Sequence, residues 1–346
     1  VSDVLYLNSA DGKFVAVDSI ADDIAPADSK GLAVAATDFD GDHIPEIYVA
    51  NDMLPNFLLK RIEDWDSNES PLYKNVAVSA GCAVSNEGRN EASMGIACSD
   101  FDGDGFVDIF LTHFFESKNT LYRNLGSLLF EDASRQSRIA ATSFDKLGFG
   151  TVAFDANLDG SDDIFIANGH VLGPNLEPNE MTPQLLVNDG NGVFSDVSSA
   201  VGGYFAERCL GRGVAGGDYN NDGRLDLAVN HLDVPLALLH NETPMENHFI
   251  GLELLPHDRC YPAGGRVIVT SAHGRRIIPV VAGGSYLSSN DPRLLIGLGR
   301  NAGPVDVEVQ WSQKQSTRYQ NLQIDRYWVL SETGGAVLRT DNPESN

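Results

Sequence analysis

Short apolar runs alternate with acidic loops four times along the chain. The runs that follow the loops are rich in β-forming residues and begin at Ile47, Ile109, Ile164 and Leu227. The segments that precede the loops are extended in pattern and rich in small residues. Short runs of this kind, bounded by turn-forming residues, are typical of β-strands. The pattern therefore predicts four β-hairpins, each with an acidic loop at its tip.

The acidic loops recur at a nearly regular interval. They span residues 38–46, 100–108, 155–163 and 218–226, so that their first Asp residues are 62, 55 and 63 positions apart. A regular interval of this length is typical of repeat proteins, in which each repeat is one supersecondary unit. Four antiparallel strands in about 60 residues match a blade of a β-propeller. The small residues before each loop predict the innermost strand, where blades converge.

A second pair of strands is predicted after each hairpin by a recurring signature. An aromatic or Leu run ends in Asn and is followed by a turn with Gly and by a Phe. The signature occurs at residues 5–8, 121–124 and 185–188. In the first full repeat we assign it to residues 72–75, after a polar insert at 60–71. Residues 5–17 therefore look like the outer half of an earlier blade.

The loop residues are suited to a hard cation. Positions 1, 3, 5 and 9 carry carboxylate or amide oxygens in every copy, and the backbone carbonyl of position 7 can add another. Calcium takes roughly 6–8 oxygen ligands. We therefore predict three or four bound Ca²⁺ ions. The predicted ligands are Asp38, Asp40, Asp42, Ile44 and Glu46; Asp100, Asp102, Asp104, Phe106 and Asp108; Asp155, Asn157, Asp159, Ser161 and Asp163; and Asp218, Asn220, Asp222, Arg224 and Asp226.

Other interpretations of the loops fit less well. Zinc prefers nitrogen and sulfur, whereas the loops contain no Cys and only one His, His43. An EF-hand needs Glu at position 12 and flanking helices, whereas here position 9 is acidic and strands follow. The open alternative is that Asp, Asn and Gly only form turns. The first loop matches least, because His43 replaces Gly and Glu46 replaces Asp, and it is expected to lose its ion first.

The repeats resemble the FG-GAP/VCBS type of integrin α-chain propellers and of many secreted bacterial proteins. Residues 264–270, 283–293, 296–299 and 307–311 resemble the ASPIC/UnbV domain, which closes the cartilage acidic protein family and its bacterial relatives. Residues 167–170 are a further match. The resemblance implies an all-β fold: an FG-GAP-type β-propeller, of which four or five blades are visible, followed by a small β-sandwich-like domain.

The predicted domains are a propeller region at residues 1–245, an ASPIC/UnbV domain at 246–340 and a disordered tail at 341–346. Family propellers commonly have seven blades, for which this region is too short. We therefore expect the chain to be a C-terminal fragment; the alternatives are closure with fewer blades or a chain taken from part of a larger protein. An open propeller exposes strand edges, so a partner chain could cover one of them.

Composition limits the partners and the location. The net charge of −25 argues against nucleic acid and anionic membranes as partners. It suits a secreted, extracellular or periplasmic protein in millimolar calcium. No apolar run approaches the ~18–20 residues of a membrane helix. The four cysteines, Cys82, Cys98, Cys209 and Cys260, allow three disulfide pairings, and the sequence selects none of them.

Catalytic signatures are weak along the chain. Residues 283–287 do not match a nucleophile elbow, and Ser285 has no assigned His or Asp partner. One constellation lies at equivalent strand ends, five residues after each position 9: Asn51, His113, Asn168 and His231. These residues either form a polar ring that binds a metal or substrate, or they cap the strand ends. Asp291 and Arg293 either bind a partner or form a salt bridge.

The predicted function is therefore that of a secreted, calcium-binding, non-catalytic adhesion or scaffold module that binds protein or carbohydrate. In this interpretation the ions brace the blades, and variable loops on the propeller faces recognise the partner. The alternative is an enzyme or accessory subunit that acts on extracellular polysaccharide through the propeller channel. Neither a nucleic-acid partner nor membrane insertion is expected.

Overall fold

A computed structural model describes residues 3–8, 12–16, 29–62, 73–171, 173, 178–257, 260–272, 274–312 and 314–339. Almost all regular structure in these residues is β-strand, with three short α-helices and one 3-10 helix. The all-β fold class predicted from the sequence is confirmed. None of the described helices has the length and apolar character needed to cross a membrane.

Four antiparallel sheets of consecutive strands form the N-terminal region, and we call them blades 1 to 4. Blade 1 contains β3 (Gly31–Thr37), β4 (Glu46–Asn51), β5 (Phe57–Arg61) and β6 (Tyr73–Asn75). Blade 2 contains β7 (Ile96–Ser99), β8 (Asp108–Leu111), β9 (Thr120–Asn124) and β10 (Phe130–Asp132). Blade 3 contains β11 (Gly148–Phe154), β12 (Asp163–Asn168), β13 (Gln184–Asn188) and β14 (Phe194–Asp196). Blade 4 contains three described strands, β15 (Gly211–Gly217), β16 (Asp226–His231) and β17 (Ala237–Leu239).

The first strand of each blade lies on the inner side, as the small residues predicted. Strand β3 contacts β7, β7 contacts β11, and β11 contacts β15. The backbones approach closely here, because a Cβ on Gly150 would lie 2.6 Å from the carbonyl oxygen of Arg212. Cys98 lies in β7 and packs, partly buried, against the core shared by blades 1 and 2. In the described part of the chain Cys82, Cys98 and Cys209 form no disulfide.

The pairing register corrects one assignment. Arg61 lies opposite Tyr73 in blade 1, just as Asn124 lies opposite Phe130 in blade 2. The third strand of blade 1 is therefore β5, and the signature assigned to residues 72–75 belongs to the fourth strand. That assignment was wrong because the fourth strand also ends in Asn and carries a Tyr. The polar insert consequently separates the third strand from the fourth.

A further strand pair precedes blade 1. Strands β1 (Tyr6–Asn8) and β2 (Phe14–Ala16) pair with Asn8 opposite Phe14. This is the register of Asn124 and Phe130, so β1 and β2 have the pairing of the outer half of a blade, as predicted. Residues 9–11 and 17, which belong to the same predicted segment, lie outside the described residues.

Short helices follow the fourth strands, and the sequence did not predict them. They are α1 (Ala77–Ala80), α2 (Ile139–Ser143) and α3 (Ser198–Val201), with a 3-10 helix at Gly203–Ala206. After each fourth strand a side-chain Oδ1 accepts a hydrogen bond from the backbone N–H two residues further on. The bonds are Ala77 to Asn75 (3.1 Å), Ser134 to Asp132 (3.0 Å) and Ser198 to Asp196 (3.0 Å). Such short side chains initiate turns locally.

The C-terminal region is a sandwich of two sheets. The strands of this region are β18 (His248–Leu255), β19 (Arg266–Ser271), β20 (Gly274–Pro279), β21 (Ala282–Gly283), β22 (Leu294–Gly299), β23 (Val305–Ser312), β24 (Gln315–Leu322), β25 (Tyr327–Ser331) and β26 (Ala336–Leu338). The two sheets have the strand orders β22-β18-β25-β26 and β20-β19-β23-β24. Both sheets contribute to one core, which includes Leu252, Val267, Val307 and Leu330. The predicted sandwich is therefore confirmed. The predicted boundary at residue 245 lies between β17 and β18, and the predicted tail at 341–346 lies outside the described residues.

One segment of the C-terminal region, residues 282–293, crosses the inner strands of the blades, and we call it the crossing segment. It begins with β21, which pairs with β3 of blade 1. The backbone N–H of Ser285 then donates to Ile96 of β7 (2.6 Å), and its hydroxyl donates to the carbonyl of Val214 in β15 (2.7 Å). The crossing segment therefore binds the first strands of blades 1, 2 and 4.

Candidate metal centres

The first Asp of each loop, buried in loops 1, 3 and 4 and half-buried in loop 2, binds the backbone of its own loop. Its Oδ2 accepts a hydrogen bond from the N–H at position 6 in every copy. The donors are His43 (3.0 Å), Gly105 (2.9 Å), Gly160 (2.8 Å) and Gly223 (2.7 Å). Position 6 has a positive φ in all four loops, from 62° at His43 to 101° at Gly160. The sharp turn predicted there is present, even where His replaces Gly.

A second left-handed residue occurs at position 4 of every loop. Its φ is 90° at Gly41, 75° at Gly103, 60° at Leu158 and 59° at Asn221. The positive φ at position 4 was not predictable from the sequence, because a Leu rarely adopts a positive φ. The left-handed residues at positions 4 and 6 together curl each loop tightly around its first Asp.

Position 9 ties each loop to its own blade. In blade 2, Asp108 accepts hydrogen bonds from the N–H of Phe101 (3.1 Å) and from that of Asn124 in the third strand (2.8 Å). Asp163 and Asp226 make the same two contacts in blades 3 and 4. In blade 1, Glu46 accepts from Phe39 (3.0 Å). Position 9 therefore has a structural role besides its predicted role as a ligand.

An Asn at or just beyond the end of the third strand links neighbouring blades. Its side-chain amide donates to the carbonyl at position 2 of the preceding blade's loop. The bonds are Asn124 to Phe39 (2.8 Å), Asn188 to Phe101 (2.8 Å) and Asn241 to Ala156 (3.0 Å). The sequence marked these Asn residues only as strand ends, because a contact 85 to 87 positions away leaves no local pattern.

Loop 2 has the clearest geometry for a cation. Carboxylate oxygens of Asp100, Asp102 and Asp108 lie within 4.8 Å of one another. The Oδ1 of Asp100 is buried and has no hydrogen-bond partner among the described residues. Burial raises the pKa of Asp100 to about 6 and that of Asp108 to about 8. Buried polar atoms are normally satisfied, so an unpartnered oxygen among three carboxylates fits an oxygen-binding cation.

Loop 3 brings the same positions together with one acid fewer. The backbone N–H of Asp159 donates both to Asp155 Oδ1 (3.0 Å) and to Asn157 Oδ1 (2.9 Å), which places oxygens 1 and 3 side by side. Burial raises the pKa of Asp155 well above its usual range and that of Asp163 to about 7. A bound cation would neutralise these carboxylates and favour their charged form.

Loop 4 contains a cationic side chain of its own. Arg224, predicted to contribute only its carbonyl, places its guanidinium 2.6 Å from Asp222. Although burial raises the pKa of Asp222, the hydrogen bonds from Arg224 and Asn220 lower it overall. His240 Nδ1 lies 2.9 Å from Asp226 Oδ1. The predicted residues of loop 4 are therefore together, but they are already partly paired.

Loop 1 contains a lysine that the sequence did not assign to it. The carboxylates at positions 1, 3 and 5 lie within 4.8 Å of one another. The ammonium of Lys60, in β5, bonds to Asp40 and lies 3.5 Å from Asp42 Oδ2 and 3.6 Å from Glu46 Oε1. The guanidinium of Arg266, in β19, lies 3.1 Å from the position-1 carboxylate. The end of the third strand therefore faces the loop. Lys60 contacts the loop only because the pairing register of the strands places it there.

Position 7 is held alike in all four loops, because its backbone N–H donates to the acid at position 5. The donors are Ile44 (2.7 Å), Phe106 (2.8 Å), Ser161 (2.9 Å) and Arg224 (3.0 Å). That their carbonyls bind an ion stays a prediction.

Three of the four strand-end residues of the proposed polar ring form side-chain hydrogen bonds within their own blades. They bond to the carbonyl of a nearby residue: Asn51 to Pro55 (2.8 Å), Asn168 to Thr182 (3.0 Å) and His231 to Pro235 (3.0 Å). His113 is buried, and its Nε2 lies 3.5 Å from Glu91. Among the described residues, the clusters of acidic, His and Cys side chains with metal-binding spacing do not include these four. The contacts fit strand-end caps.

The C-terminal sandwich contacts the blade loops directly. Tyr327 donates to Asp218 Oδ2 (2.6 Å), and a Cβ on Gly297 would lie 2.0 Å from Asp155 Oδ2. Arg293 donates to the carbonyl of Asp218 (2.8 Å) and pairs with Asp291 (2.8 Å), so the predicted salt bridge is present. A cavity of about 670 Å³ lies between loops 2 and 3, the inner strands and the sandwich.

Comparisons with known proteins match both regions of the chain. An FG-GAP-like repeat model matches residues 100–166 and 155–229, and an ASPIC and UnbV model matches residues 261–337. Cartilage acidic protein 1 of Mus musculus is 24% identical over 277 residues, which are 77% of this chain and 39% of that protein. The Homo sapiens protein is 24% identical over the same length, 77% of this chain and 38% of that protein. This chain spans about two fifths of the length of these relatives.

The chain is also similar to a solved structure of an Agrocybe aegerita lectin that recognises non-reducing terminal N-acetylglucosamine. The match covers 69% of this chain and 60% of the lectin chain. Its sequence identity is 16% and its TM-score is 0.34, too low to support an inference about this chain. The two family matches, by contrast, coincide with the blades and with the sandwich. The chain therefore belongs to the proteins in which FG-GAP-like repeats precede an ASPIC and UnbV domain, as its resemblance predicted.

Proposed function

We propose that this chain is a calcium-binding, non-catalytic adhesion or scaffold module that acts outside the cell. The observation that carries the proposal is the unpartnered, buried Oδ1 of Asp100 within a group of three carboxylates. An uncompensated group of this kind repels itself, and a bound Ca²⁺ would satisfy both the charge and the orphaned oxygen. Loops 3 and 4 offer the same positions with Asn in place of one acid.

The ions would brace the molecule where its parts meet. Loop 4 contacts the sandwich through Tyr327, loop 3 lies against Gly297, and the position-2 carbonyls of loops 1 to 3 bind the next blade. An ion that fixes a loop therefore fixes a contact between blades or between domains. This favours a structural role for calcium, with recognition left to other surfaces of the blades.

The family supports an extracellular, adhesion-type role. The relatives are named as acidic proteins of cartilage, and the chain itself carries a net charge of −25. Such a charge disfavours anionic partners such as nucleic acid. We propose that the partner is an extracellular protein or carbohydrate.

Calcium removal tests the metal part of the proposal. A ligand that binds only the folded state stabilises it by about 2.7 kcal/mol per site at a hundredfold excess over Kd. EDTA should therefore lower the melting temperature, and elemental analysis after dialysis in Ca²⁺ should find bound calcium. Asp102→Ala, which removes the position-3 oxygens, should remove one ion, whereas Asp189→Ala, at an exposed residue outside the loops, should remove none. An unchanged melting curve in EDTA would show that the loops are ordinary turns.

Partner screening tests the adhesion part. The protein should be applied to glycan and extracellular-protein arrays in Ca²⁺ and again in EDTA. Binding that requires Ca²⁺ and is weakened by Asp102→Ala supports the proposal. Turnover of an extracellular polysaccharide by the purified chain would instead favour the enzymatic alternative.

A further inference from the structure

The four blades place different side chains at one register position that faces the acidic loop. Ile47 pairs with Leu59, Ile109 with Tyr122, Ile164 with Leu186, and Leu227 with Leu239. The next residue of each third strand therefore lies beside position 9. These residues are Lys60, Arg123, Val187 and His240 in blades 1 to 4. The position is cationic in blade 1 and apolar in blade 3.

In blade 1 the side chain at this position lies among the carboxylates. Lys60 bonds to Asp40 and lies within 3.6 Å of Asp42 and Glu46, which are the predicted ligands of positions 3, 5 and 9. Arg266 contacts the remaining predicted carboxylate, Asp38, at 3.1 Å. The two cations together carry the same charge as one Ca²⁺.

This arrangement does not fit an additional Ca²⁺. An ion bound by these oxygens at roughly 2.3–2.6 Å would lie next to the Lys60 ammonium. Two cations at such a short distance repel one another, and the carboxylate oxygens would be shared between them. Both cations are held at partly buried sites, where solvent screens the repulsion less than at the surface.

Blades 2 and 3 differ at the same position. Arg123 is directed to Glu131 and approaches loop 2 only to 3.8 Å, at Asp102. Val187 brings no charge to loop 3. Neither side chain therefore lies among the carboxylates of its loop as Lys60 does in loop 1.

We propose that loop 1 is a metal-free member of the set, in which Lys60 and Arg266 supply the charge that Ca²⁺ supplies in the other loops. The proposal rests on the proposed calcium-binding function. It predicts that a cation among the carboxylates of a loop keeps Ca²⁺ out of that loop. The wild-type chain should accordingly bind no ion at loop 1 and at most three ions in all.

Loss of single carboxylates tests which loops hold an ion. The bound Ca²⁺ per chain is counted by elemental analysis and by calorimetric titration, with circular dichroism as a check of folding. Asp104→Asn, at position 5 of loop 2, should remove one ion. Asp42→Asn, its match in loop 1, should remove none and should leave the titration unchanged. Loss of an ion in Asp42→Asn would overturn the proposal.

An exchange of third-strand residues gives the converse test. Val187→Lys should introduce an ammonium beside loop 3 and remove one ion. The double variant with Lys60→Val and Arg266→Gln should bind one ion more than the wild type. Its melting temperature should be lowered in EDTA and restored in Ca²⁺. A double variant that is folded but gains no ion would also overturn the proposal.

The count separates this proposal from the function on which it rests. Four ions in the wild-type chain would contradict the role of Lys60 but keep the calcium-binding function. Zero ions in the wild-type chain, with no effect of Asp104→Asn, would contradict the calcium-binding function itself.

Discussion

Residues at equivalent places in the blades have different chemistry, and their surroundings decide what each can do. Asn51 and Asn168 end the second strand of their blades, and His113 lies two residues beyond the end of β8. The two Asn side chains donate to carbonyls nearby, whereas His113 is enclosed, with Glu91 at 3.5 Å. Burial lowers the pKa of His113 from 6.5 to about 4, so that the ring is neutral in the folded protein at pH 7.

His113 should make the folded protein sensitive to mild acid. Below pH 6.5 the unfolded chain binds a proton at this residue that the folded chain binds only near pH 4, so the free energy of unfolding falls as the pH falls. The loss between pH 7.5 and 5 should be about 2 kcal/mol. Urea unfolding in saturating Ca²⁺ measures it. His113→Asn, which installs the residue of blades 1 and 3, should reduce the loss, whereas exposed His257→Asn should not. Equal pH profiles for all three proteins would contradict this role.

At the scale of the strands, the hairpins and their acidic loops were predictable because their patterns are local. Strand type, loop position and the turn at position 6 all depend on a few consecutive residues. The third strand of blade 1 was assigned wrongly, because register depends on pairing across an insert. The contacts of Lys60 with loop 1, of Asn188 with blade 2 and of the crossing segment with the inner strands were not predictable, since each joins residues distant in sequence.

Asn188, which links blades 2 and 3, should be important for stability. Asn188 is buried; its amide donates to Phe101 and to Asp162, and its Oδ1 accepts from two backbone N–H groups of the following turn. Asn188→Ala leaves these buried groups unpaired and should lower the free energy of unfolding by about 2–4 kcal/mol. Urea denaturation in Ca²⁺ measures the change.

The matched control for Asn188 is exposed Asn191, three positions further on, where Asn→Ala should change stability by less than about 0.5 kcal/mol. A similar small change in both variants would mean that the contact between blades contributes nothing.

For the whole molecule, the blades and the sandwich are joined by contacts at the acidic loops and by the crossing segment. Strand β21 adds to the edge of blade 1, while Ser285 reaches blades 2 and 4. Tyr327 binds loop 4. Strands that pair across the two regions and loops that bind the sandwich favour unfolding of the two regions together.

Gly297 should be essential to the contact between the sandwich and loop 3. A Cβ there would lie 2.0 Å from Asp155 Oδ2 and 2.7 Å from the backbone of Leu158. Gly297→Ala must therefore displace the sandwich from loop 3, at a cost of about 1–3 kcal/mol. Calorimetry should show a lower melting temperature, and the Ca²⁺ titration should show weaker binding at one site. Gly303→Ala, whose new Cβ would meet no described atom within 4 Å, should match the wild type in both measurements. Identical behaviour of the two variants would contradict a close contact at loop 3.

The contacts between blades impose an order in time on the completion of the loops. The carbonyl in each of loops 1 to 3 is bound by an Asn that lies 85 to 87 positions later, and loop 4 is bound instead by Tyr327, 109 positions later. A ribosome must therefore release the next unit before the previous loop has all its partners. Each blade stays incomplete while its successor is being made, and the sandwich, made after the blades, supplies the partner of loop 4.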